Sequence, residues 1–465
     1  MAFLNDLVLH CTTPQLAHLT NIIAPRLKRD FLRDLPLELA HHILSMIDEP
    51  KSLVRVSLVS KFWHQLVETE DWIWRAQCIR QFGPTSCSSL PSPRAHLLKM
   101  ATSYKAYFKR RFMIDRNWIS GHHSLISYTT PETGVVTSLQ FDHHHIVVGC
   151  DNSRIQIFET TSGRLIRTLQ GHLGGVWALE FVKGVGSTGE KMLVSGGCDR
   201  ELRVWDMNTG KCRLVMPGHT GTIRCLKLHQ LPDGDDGAPP RIKRRTQHQY
   251  HPQRPYLAIT GSRDATLRVW DLQTGENKFG HRDSVRCIEA HGDRLVSGSY
   301  DCTARVWSLI TGECLLILQG HFQQIYSIAF NGEYIITGSL DSTCRLWSPV
   351  TGACLATLQG HTQLLQLSGD SLMTDGFMYL WNLRTFECQY RVQAHDHLCF
   401  DPKRIVTGGN DGAVKLWDRQ TGKFIRLLTK TDAAIWRVAI CEERVVICMQ
   451  KNGRTAMEVI GGGRG

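Results

Sequence analysis

The feature that most constrains this chain is an internal repeat with a period of about 40 residues. Complete copies begin with a Gly-His dipeptide and later carry an Asp followed, six residues on, by a Trp. The dipeptides are Gly171–His172, Gly218–His219, Gly280–His281, Gly320–His321 and Gly360–His361, with Ala394–His395 as a weaker copy. The Asp/Trp pairs are Asp199/Trp205, Asp264/Trp270, Asp301/Trp307, Asp341/Trp347, Asp375/Trp381 and Asp411/Trp417. Short alternating segments and Thr-Gly turns fill the rest, which predicts four strands per copy.

Four-stranded units repeated at this period are typical of a β-propeller built from WD-type repeats. Two atypical copies extend the count. The first carries Phe158 where the others carry Trp, and the last keeps only the strand pattern. We therefore predict eight blades over residues 129–460. Because residues 1–128 are Leu-rich with helical spacing, the predicted fold class is α + all-β, a helical N-terminal part followed by the propeller.

The repeated His, Asp and Trp side chains predict a structural network. A buried His that donates to an Asp carboxylate beside a Trp indole satisfies polar groups inside each blade. Recurrence in blade after blade favours this role over catalysis. The sequence contains no evident nucleophile triad, metal-ligand spacing or phosphate loop, so we predict a non-catalytic binding protein without cofactor or metal.

Three departures from the repeat period stand out. Residues 229–255 are polar and basic, and we expect an exposed, disordered insertion there. Conversely, His361 and Trp381 are 20 residues apart and His395 and Trp417 are 22 apart, against 26 for His281 and Trp307. Blades six and seven are therefore predicted to be short, and the sequence leaves open whether the ring closes across them.

The N-terminal helices are predicted from helical spacing and few turn signals. Asp34 is placed to cap a helix whose first turn contains Pro36. The apolar residues Leu39, Ile43, Leu44 and Ile47 are predicted to share one face of it. So much apolar surface in so small a unit predicts either an N-terminal cap on the propeller or a docking surface for a partner helix.

Charge and cysteine content narrow the partners. The net charge of +11 favours an anionic partner, whether nucleic acid, phosphorylated protein or an acidic segment. No apolar run is long enough to cross a bilayer, and the N-terminus lacks a secretory pattern, so we expect no membrane association. Most cysteines lie in predicted strands, as small buried hydrophobes in a reducing compartment; examples are Cys212, Cys225, Cys287, Cys314 and Cys354.

Residues 31–78 resemble the F-box. The resemblance is carried by Leu35–Pro36, Glu38, Val59–Ser60, Trp63 and Trp74 in that order. An F-box followed by WD repeats resembles the substrate receptors of Skp–cullin–F-box ubiquitin ligases, closest to the cell-division-control type that binds phosphodegrons. The segments RDFLRDLPLELAHHILS, GSRDATLRVWD and IWRVAI carry that closer match.

The resemblance implies a domain order and partners. Residues 1–29 resemble part of a helical dimerisation segment, which implies a homodimer; residues 30–78 are the F-box, 79–128 a helical linker and 129–460 the propeller. The implied partners are a Skp-family adaptor, a cullin scaffold and phosphorylated substrates, in the nucleus and cytoplasm. The implied adaptor-binding residues are Leu32, Leu35, Pro36, Leu39, Ile43, Leu44, Val59 and Trp63.

Repeat symmetry singles out a pocket without any alignment. The position five residues after each repeat His is predicted to lie on the innermost strand and reads Trp177, Arg224, Arg286, Tyr326 and Gln366. The position before each repeat Asp reads Cys198, Arg263, Tyr300, Leu340, Thr374 and Asn410. Three guanidiniums this close repel one another unless a dianion such as a phosphoryl group binds between them. The alternative is that these arginines are solvated or paired with acids.

The family resemblance assigns roles to these positions. Arg224, Arg263 and Arg286 stand where phosphodegron receptors hold the phosphate. Tyr326 is added to the predicted degron-binding residues by repeat symmetry alone. Trp177, Arg200, Tyr300 and Trp436 stand where those receptors line the neighbouring pocket. Lys451 stands where the family commonly has Arg.

Two other functions remain open. One is an F-box receptor for a different degron, of the type that controls sulfur metabolism. The other is a propeller scaffold or nucleic-acid binder that uses the positive charge; the run Arg241–Ile242–Lys243–Arg244–Arg245 would serve it or act as a nuclear localisation signal.

Overall fold

A computed structural model of the chain describes most of its residues. The chain divides into two units, residues 1–116 and 117–464. The described residues are 10–27, 30–69, 71–82, 103–122, 124–130, 133–182, 191–231, 256–271, 275–359, 365–368, 371–374, 377–393, 395, 397–401, 403–441, 443–451 and 454–461. Most of the basic insertion, the Gly360–His361 dipeptide, Asp375 and Ala394 lie outside them. Within the described residues, no helix combines the length and apolar character that crossing a bilayer requires.

The N-terminal part is helical. Its described helices are α1 Thr13–Leu27, α2 Phe31–Asp34, α3 Leu37–Ser45, α4 Pro50–Val56, α5 Lys61–Thr69, α6 Asp71–Phe82 and α7 Tyr104–Ser120. The helix α3 begins directly after Pro36, which is its N-cap residue and makes no side-chain cap. The prediction that Asp34 caps this helix is therefore wrong, because Asp34 ends α2 instead.

The core of the helical unit is a set of apolar side chains joined by a few buried hydrogen bonds. The Trp74 indole N–H donates to the carbonyl of Val67 at 2.8 Å. The Trp63 indole N–H donates to the Asp30 carboxylate, which also accepts from Ser60 at 3.0 Å. The buried members of the core are Leu32, Ala40, Leu44, Leu53, Trp63, Leu66, Val67, Ile73, Trp74, Cys78 and Phe108.

The second unit is a propeller of eight four-stranded antiparallel sheets, as predicted. Apolar cores lie between consecutive blades. Blade 1 contains β2 Val136–Phe141, β3 His145–Cys150, β4 Ile155–Glu159 and β5 Leu165–Leu169, and blade 2 contains β6 Val176–Val182, β7 Met192–Gly197, β8 Leu202–Asp206 and β9 Cys212–Met216. Blade 3 contains β10 Ile223–His229, β11 Leu257–Ser262, β12 Thr266–Asp271 and β13 Gly275–Gly280, and blade 4 contains β14 Val285–His291, β15 Arg294–Ser299, β16 Thr303–Ser308 and β17 Cys314–Gln319.

The remaining blades follow the same order. Blades 5 to 7 are β18 Ile325–Phe330, β19 Ile335–Ser339, β20 Thr343–Trp347, β21 Cys354–Gln359; β22 Leu365–Ser368, β23 Ser371–Thr374, β24 Phe377–Asn382, β25 Cys388–Gln393; and β26 His397–Phe400, β27 Arg404–Gly408, β28 Ala413–Asp418, β29 Phe424–Lys430. Blade 8 combines β30 Ile435–Cys441, β31 Arg444–Lys451 and β32 Arg454–Gly461 with β1 Ser124–Thr129.

Blade 8 closes the ring with strands from both ends of the propeller sequence. Strand β1 pairs with β32 along its whole length, from Ser124 opposite Gly461 to Thr129 opposite Ala456. We predicted a helical linker to residue 128 and a propeller from 129. That boundary is corrected, because α7 ends at Ser120, Gly121 follows with a φ of +88°, and the next described residues form β1. An outer strand taken from the linker leaves blade 8 complete.

The repeated His, Asp and Trp form the predicted network in blades 2 to 5. In blade 3, His219 Nδ1 lies 2.9 Å from Asp264, and its Nε2 lies 2.8 Å from the Thr260 hydroxyl. The Trp270 indole donates to that same hydroxyl at 2.8 Å. A neutral imidazole that donates from Nδ1 and accepts at Nε2 satisfies every group. The matching sets are His172/Asp199/Ser195/Trp205, His281/Asp301/Ser297/Trp307 and His321/Asp341/Thr337/Trp347.

Blade 6 is short because its inner hairpin is trimmed on both strands. In blade 5, Trp347 lies opposite Ile335, twelve residues earlier. In blade 6, Trp381 lies opposite Leu372, only nine residues earlier. Strand β22 starts with Leu365 opposite Thr374, the register of Ile328 and Thr337 in blade 5. Relative to blade 5, β22 therefore starts three positions later than β18, and β23 ends two positions earlier than β19.

This register corrects two predicted equivalences. Gln366 occupies the position of Ala329, not that of Tyr326, and Thr374 occupies the position of Thr337, not that of Leu340. The Thr374 hydroxyl and the Trp381 indole N–H are buried without a hydrogen-bond partner among the described residues. The blade 6 counterpart of the network is thus incomplete in the part of the chain that the structure describes.

Blade 7 departs from the repeat at its start. His397 lies opposite Gly408, the register of Ser327 and Gly338 in blade 5. His395 therefore takes the place of an inner-strand residue, and the predicted equivalence of Ala394–His395 to the Gly-His dipeptides is wrong. His395 still approaches Asp411, at 3.4 Å from its Nε2.

The described cysteines form no disulfide. Several are more exposed than predicted: Cys314 and Cys354 are exposed, and Cys212, Cys225 and Cys287 are half-buried. The reason is that Cys314 and Cys354 begin the outermost strands of their blades, where one face of the strand meets solvent.

Candidate anion-binding site and helical docking face

The candidate site lies on the face of the ring where each inner strand begins and each second strand ends, here called the entry face. Near its start, each inner strand of a complete blade has a β-bulge. A bulge inserts one unpaired residue and redirects its side chain, a device found beside functional sites. The residues at the bulges are Thr137, Trp177, Arg224, Arg286, Tyr326 and Trp436.

The predicted second set of positions also meets at the entry face. The residue after each second strand donates its backbone N–H to the residue that precedes the facing inner strand. Arg263 donates to Thr222 at 2.9 Å, and Tyr300 donates to Ser284 at 2.9 Å. Cys198 and Leu340 make the same bond in blades 2 and 5. For blades 2 to 5, the strand pairing therefore confirms the equivalence inferred from repeat spacing.

Aromatic rings orient two of the three predicted arginines. The Arg224 guanidinium lies 5.0 Å from the centroid of the Trp177 ring. The Arg286 guanidinium lies 5.6 Å from the Tyr326 ring, which stacks on Tyr300 at 5.3 Å. Burial raises the pKa of the Tyr300 hydroxyl, its hydrogen bond with Tyr326 raises it further, and Arg286 and Arg224 oppose the shift. Both guanidiniums therefore lie within electrostatic range of one tyrosine.

Within the described part of the chain, Arg224, Arg263 and Arg286 make no ion pair. This contrasts with other arginines of the propeller, which do pair with acids: Arg203 meets Glu201 at 2.7 Å, and Arg213 meets Asp206 at 2.6 Å. Of the two alternatives, pairing with acids inside the blades therefore has no support among the described residues, whereas solvation fits Arg263, whose side chain is exposed. Three uncompensated cations on adjacent blades create a positive potential that suits an anion.

The sequence interpretation missed Arg437, which directly follows the bulged Trp436. Its guanidinium donates to the Thr137 carbonyl of blade 1 at 3.2 Å. The side chain is solvent-accessible yet surrounded by protein, as expected in a channel. Burial lowers the pKa of Arg437, and the nearby positive charge of Arg286 lowers it further. No Gly-His marker precedes blade 8, so spacing alone had no reference point from which to single out this residue.

The other residues implied by resemblance are placed less centrally. Trp436 lies at the blade 8 bulge, half-buried against the apolar core between blades 8 and 1. Arg200 is exposed in the turn after Asp199, with a φ of +68° that recurs at the same turn position in other blades. Lys451 is exposed at the end of β31, and the register puts Gln450 rather than Lys451 level with Arg263 and Tyr300.

On the helical unit, the predicted adaptor residues divide into two groups. Leu32, Leu44 and Trp63 are buried in the core, so their assignment to a partner surface is corrected. The pattern misled because Leu44 and Ile43, adjacent in sequence, lie on different faces of α3. Leu35 is half-buried, whereas Pro36, Leu39, Ile43 and Val59 are exposed.

Seven exposed apolar side chains between residues 37 and 59 form a set that we call the docking face. The most exposed are Leu58 at 78%, Met46 at 65% and Val59 at 62% of the side chain's full accessibility. The set comprises Leu37, Leu39, Ile43, Met46, Val54, Leu58 and Val59. Large apolar side chains exposed together mark a partner surface.

The described residues include no group of three or more His, Cys, Asp or Glu side chains placed to hold a metal ion.

Comparisons with known proteins agree with these observations. Residues 32–80 match the F-box-like family model, and five segments between 163 and 418 match the model for the WD domain, G-beta repeat. The chain is 33% identical to Cell division control protein 4 of Candida albicans over 97% of this chain and 70% of that protein. It is 24% identical to the probable E3 ubiquitin ligase complex SCF subunit sconB of Arthroderma otae over 63% of this chain and 64% of that protein.

A solved structure supports the propeller fold. The computationally designed Ika8 protein has a TM-score of 0.58 and 25% identity over 71% of this chain and 98% of that one. The chain spans less than half the length of several other fungal relatives that it matches. With its F-box-like segment, its eight-bladed propeller and its similarity along nearly the whole sequence to the Candida albicans protein, the chain belongs to the F-box/WD-repeat family of Cell division control protein 4.

Proposed function

We propose that the protein is a non-catalytic substrate-recognition subunit of a Skp–cullin–F-box ubiquitin ligase. In this proposal the docking face binds the Skp-family adaptor, and the entry face binds phosphorylated Ser/Thr-Pro degrons of regulators such as cell-cycle proteins. The single observation that carries the substrate half is the group of three arginines, on adjacent blades, without an acidic partner among the described residues.

A phosphoryl group fits this arrangement for two reasons. A phosphothreonine carries about −1.5 to −2 charges at pH 7 and three acceptor oxygens, which suits several guanidiniums at once. Bulges and ring contacts position Arg224 and Arg286, and the backbone of Arg263 is held by its bond to Thr222, so part of the site is ordered before the ligand binds. The exposed Trp177 and the Tyr300–Tyr326 stack offer apolar walls on either side for the residues that flank the phosphate.

The adaptor half of the proposal rests on the docking face. Its seven exposed apolar side chains sit on α3, on α4 and in the turns that follow them, and the buried residues of α3 and α4 pack into the unit's own core. The fold therefore leaves these seven side chains for a partner. A partner helix is the natural occupant of such a surface. Association through α1 into a homodimer, and residence in nucleus and cytoplasm, complete the proposal without a structural observation of their own.

A second candidate is an F-box receptor for a different degron, of the sulfur-metabolism type. It shares the docking face but predicts that the arginines are dispensable for substrate binding. A scaffold or nucleic-acid binder is a third candidate. Its main support, the basic run at residues 241–245, lies outside the described residues.

The test is a pull-down with the full chain from lysate that has or has not been treated with phosphatase. The proposal expects substrate proteins to be recovered only from untreated lysate, and the Skp-family adaptor from both. A variant with all three arginines changed to Met should retain the adaptor and lose the substrates. Recovery of the same substrates after phosphatase treatment would contradict phosphate recognition. If the wild-type chain recovers no Skp-family adaptor from either lysate, the ligase assignment is contradicted.

A further inference from the structure

Cys198 contacts the ring that orients one of the site arginines. The Trp177 indole N–H donates to the Cys198 sulfur at 3.1 Å. The Arg224 guanidinium lies 5.0 Å from the centroid of the same ring. The Cys198 thiol therefore contacts the Trp177 indole, and the indole contacts the Arg224 guanidinium of the next blade.

The position of Cys198 is itself fixed. Its backbone N–H donates to the Gly175 carbonyl at 2.9 Å, in the bond shared with the equivalent residues of blades 3 to 5. The loop before β6 packs closely on it, since a Cβ on Gly174 would lie 2.8 Å from the Cys198 Cβ. The backbone and Cβ that carry the thiol are thus held in place, although the side chain is exposed to solvent.

Trp177 and Arg224 depend on this acceptor more than buried residues would. Trp177 is 38% exposed and sits at a bulge, so packing alone does not fix its ring. Arg224 makes no ion pair within the described residues, and its guanidinium lies over the Trp177 ring. A change in the ring angle therefore moves the guanidinium.

We propose that Cys198 is a positioning residue for the anion-binding site, acting on Arg224 through Trp177. The inference rests on the proposed function, because it assigns Cys198 a role in phosphate recognition. It also assigns the sulfur a role apart from oxidation or metal binding. The thiol accepts one hydrogen bond, and that bond sets the angle of the ring against which Arg224 lies.

Substitutions at Cys198 separate this role from simple packing. Cys198→Val removes the acceptor and leaves an apolar side chain one carbon larger, whereas Cys198→Ser restores an acceptor on a shorter bond. We expect Cys198→Val to weaken binding of a phosphothreonine peptide about three- to fivefold, the scale of one cation–π contact, measured by fluorescence anisotropy. Cys198→Ser should recover affinity to within about twofold of wild type.

A double-mutant cycle tests the path of the effect. In an Arg224→Met background, Cys198→Val should cause no further loss, because the group it positions is absent. In an Arg263→Met background, the full three- to fivefold loss should remain, because the Trp177 ring does not orient Arg263. Equal losses in both backgrounds, or a valine variant that binds like wild type, would overturn the proposal.

A peptide-free measurement keeps this outcome distinct from failure of the proposed function. With ¹⁵N-labelled tryptophan, the Trp177 indole cross-peak can be assigned from its disappearance in Trp177→Leu. It should shift in Cys198→Val and return toward its original position in Cys198→Ser. An unmoved cross-peak refutes the positioning role even if phosphopeptides bind. If instead the peak moves but wild type binds both peptide forms equally, phosphate recognition fails and the role of Cys198 in it falls too.

Discussion

The amide of Gln366 links the two blades at which ring closure was in doubt. Its Oε1 accepts the Phe400 backbone N–H at 3.1 Å, and its Nε2 donates to the Phe400 carbonyl at 3.3 Å. Gln140 and Glu180 make the corresponding bond to the next blade, to Phe181 N and Leu228 N. In those blades, full-length inner strands also contact each other. Because β22 and β26 are both only four residues long, we expect the two Gln366 hydrogen bonds to contribute more to holding blades 6 and 7 together.

Gln366→Leu keeps the side chain's approximate volume and removes both hydrogen bonds. Phe400 is buried, so its N–H and carbonyl lose their partner where water has limited access. An unsatisfied buried backbone group costs about 1–3 kcal/mol, and water in the channel can satisfy one of the two, so we expect a loss of about 1–3 kcal/mol in the free energy of unfolding. Gln140→Leu is the matched control and should cost about 1 kcal/mol, because it breaks one bond in a complete blade.

Urea unfolding together with hydrogen exchange read by mass spectrometry would measure both effects. Gln366→Leu should lower the unfolding midpoint and accelerate exchange in peptides from blades 6 and 7, with blades 1 and 2 unchanged. Gln140→Leu should accelerate exchange in blades 1 and 2 instead. Unchanged exchange across residues 397–408 in Gln366→Leu would refute the view that this amide holds the short blades together.

Three further predictions concern the blade network, the docking face and the channel. Burial opposes ionisation of Asp264, but hydrogen bonds from Thr266, His219 and a backbone N–H lower its pKa overall. The stability that the ionised carboxylate adds is therefore present above about pH 4 and is lost as the pH falls below it. Asp264→Ala should flatten this acid dependence of thermal unfolding and should cost about 2 kcal/mol near neutrality. Leu58→Asp should reduce adaptor binding at least about tenfold with unchanged helical circular dichroism, whereas Trp63→Ala, which empties a core position, should unfold the helical unit. Arg437→Met removes a charge close to Arg286, so it should raise the thermal midpoint while weakening phosphopeptide binding, most clearly at low salt.

Repeat spacing predicted the propeller well because blades 2 to 5 each contain the same buried polar network. His219, Asp264, Thr260 and Trp270 must meet inside one sheet, which fixes their separations along the strands. The same constraint brought Arg224 and Arg263 to the same blade edge. In blade 6, where the network is incomplete, spacing did not predict the equivalent positions. Counting from His361 assigned Gln366 to the entry face, whereas strand pairing places it three residues further along the inner strand.

The sequence pattern did not predict which residues of the helical unit are buried, for a different reason. Leu44, Ile43 and Leu39 are similar in hydropathy, and only the packing of α3 on its neighbours distinguishes the buried Leu44 from the exposed pair. Arg437 was missed because blade 8 lacks the Gly-His marker, and the role of Cys198 depends on a contact with Trp177 that no spacing reveals.

The central claim is that Arg224, Arg263 and Arg286 together bind a phosphoryl group, and the most direct measurement is the affinity of the full chain for one Thr-Pro peptide with and without phosphate. The account predicts at least about tenfold tighter binding of the phosphorylated form. Arg224→Met, Arg263→Met and Arg286→Met should each weaken it about 30-fold, equivalent to about 2 kcal/mol. The control Arg213→Met, an exposed arginine already paired with Asp206 on an outer strand, should stay within about twofold of wild type. Equal affinity for both peptides, or three arginine variants that bind like the control, would contradict the account.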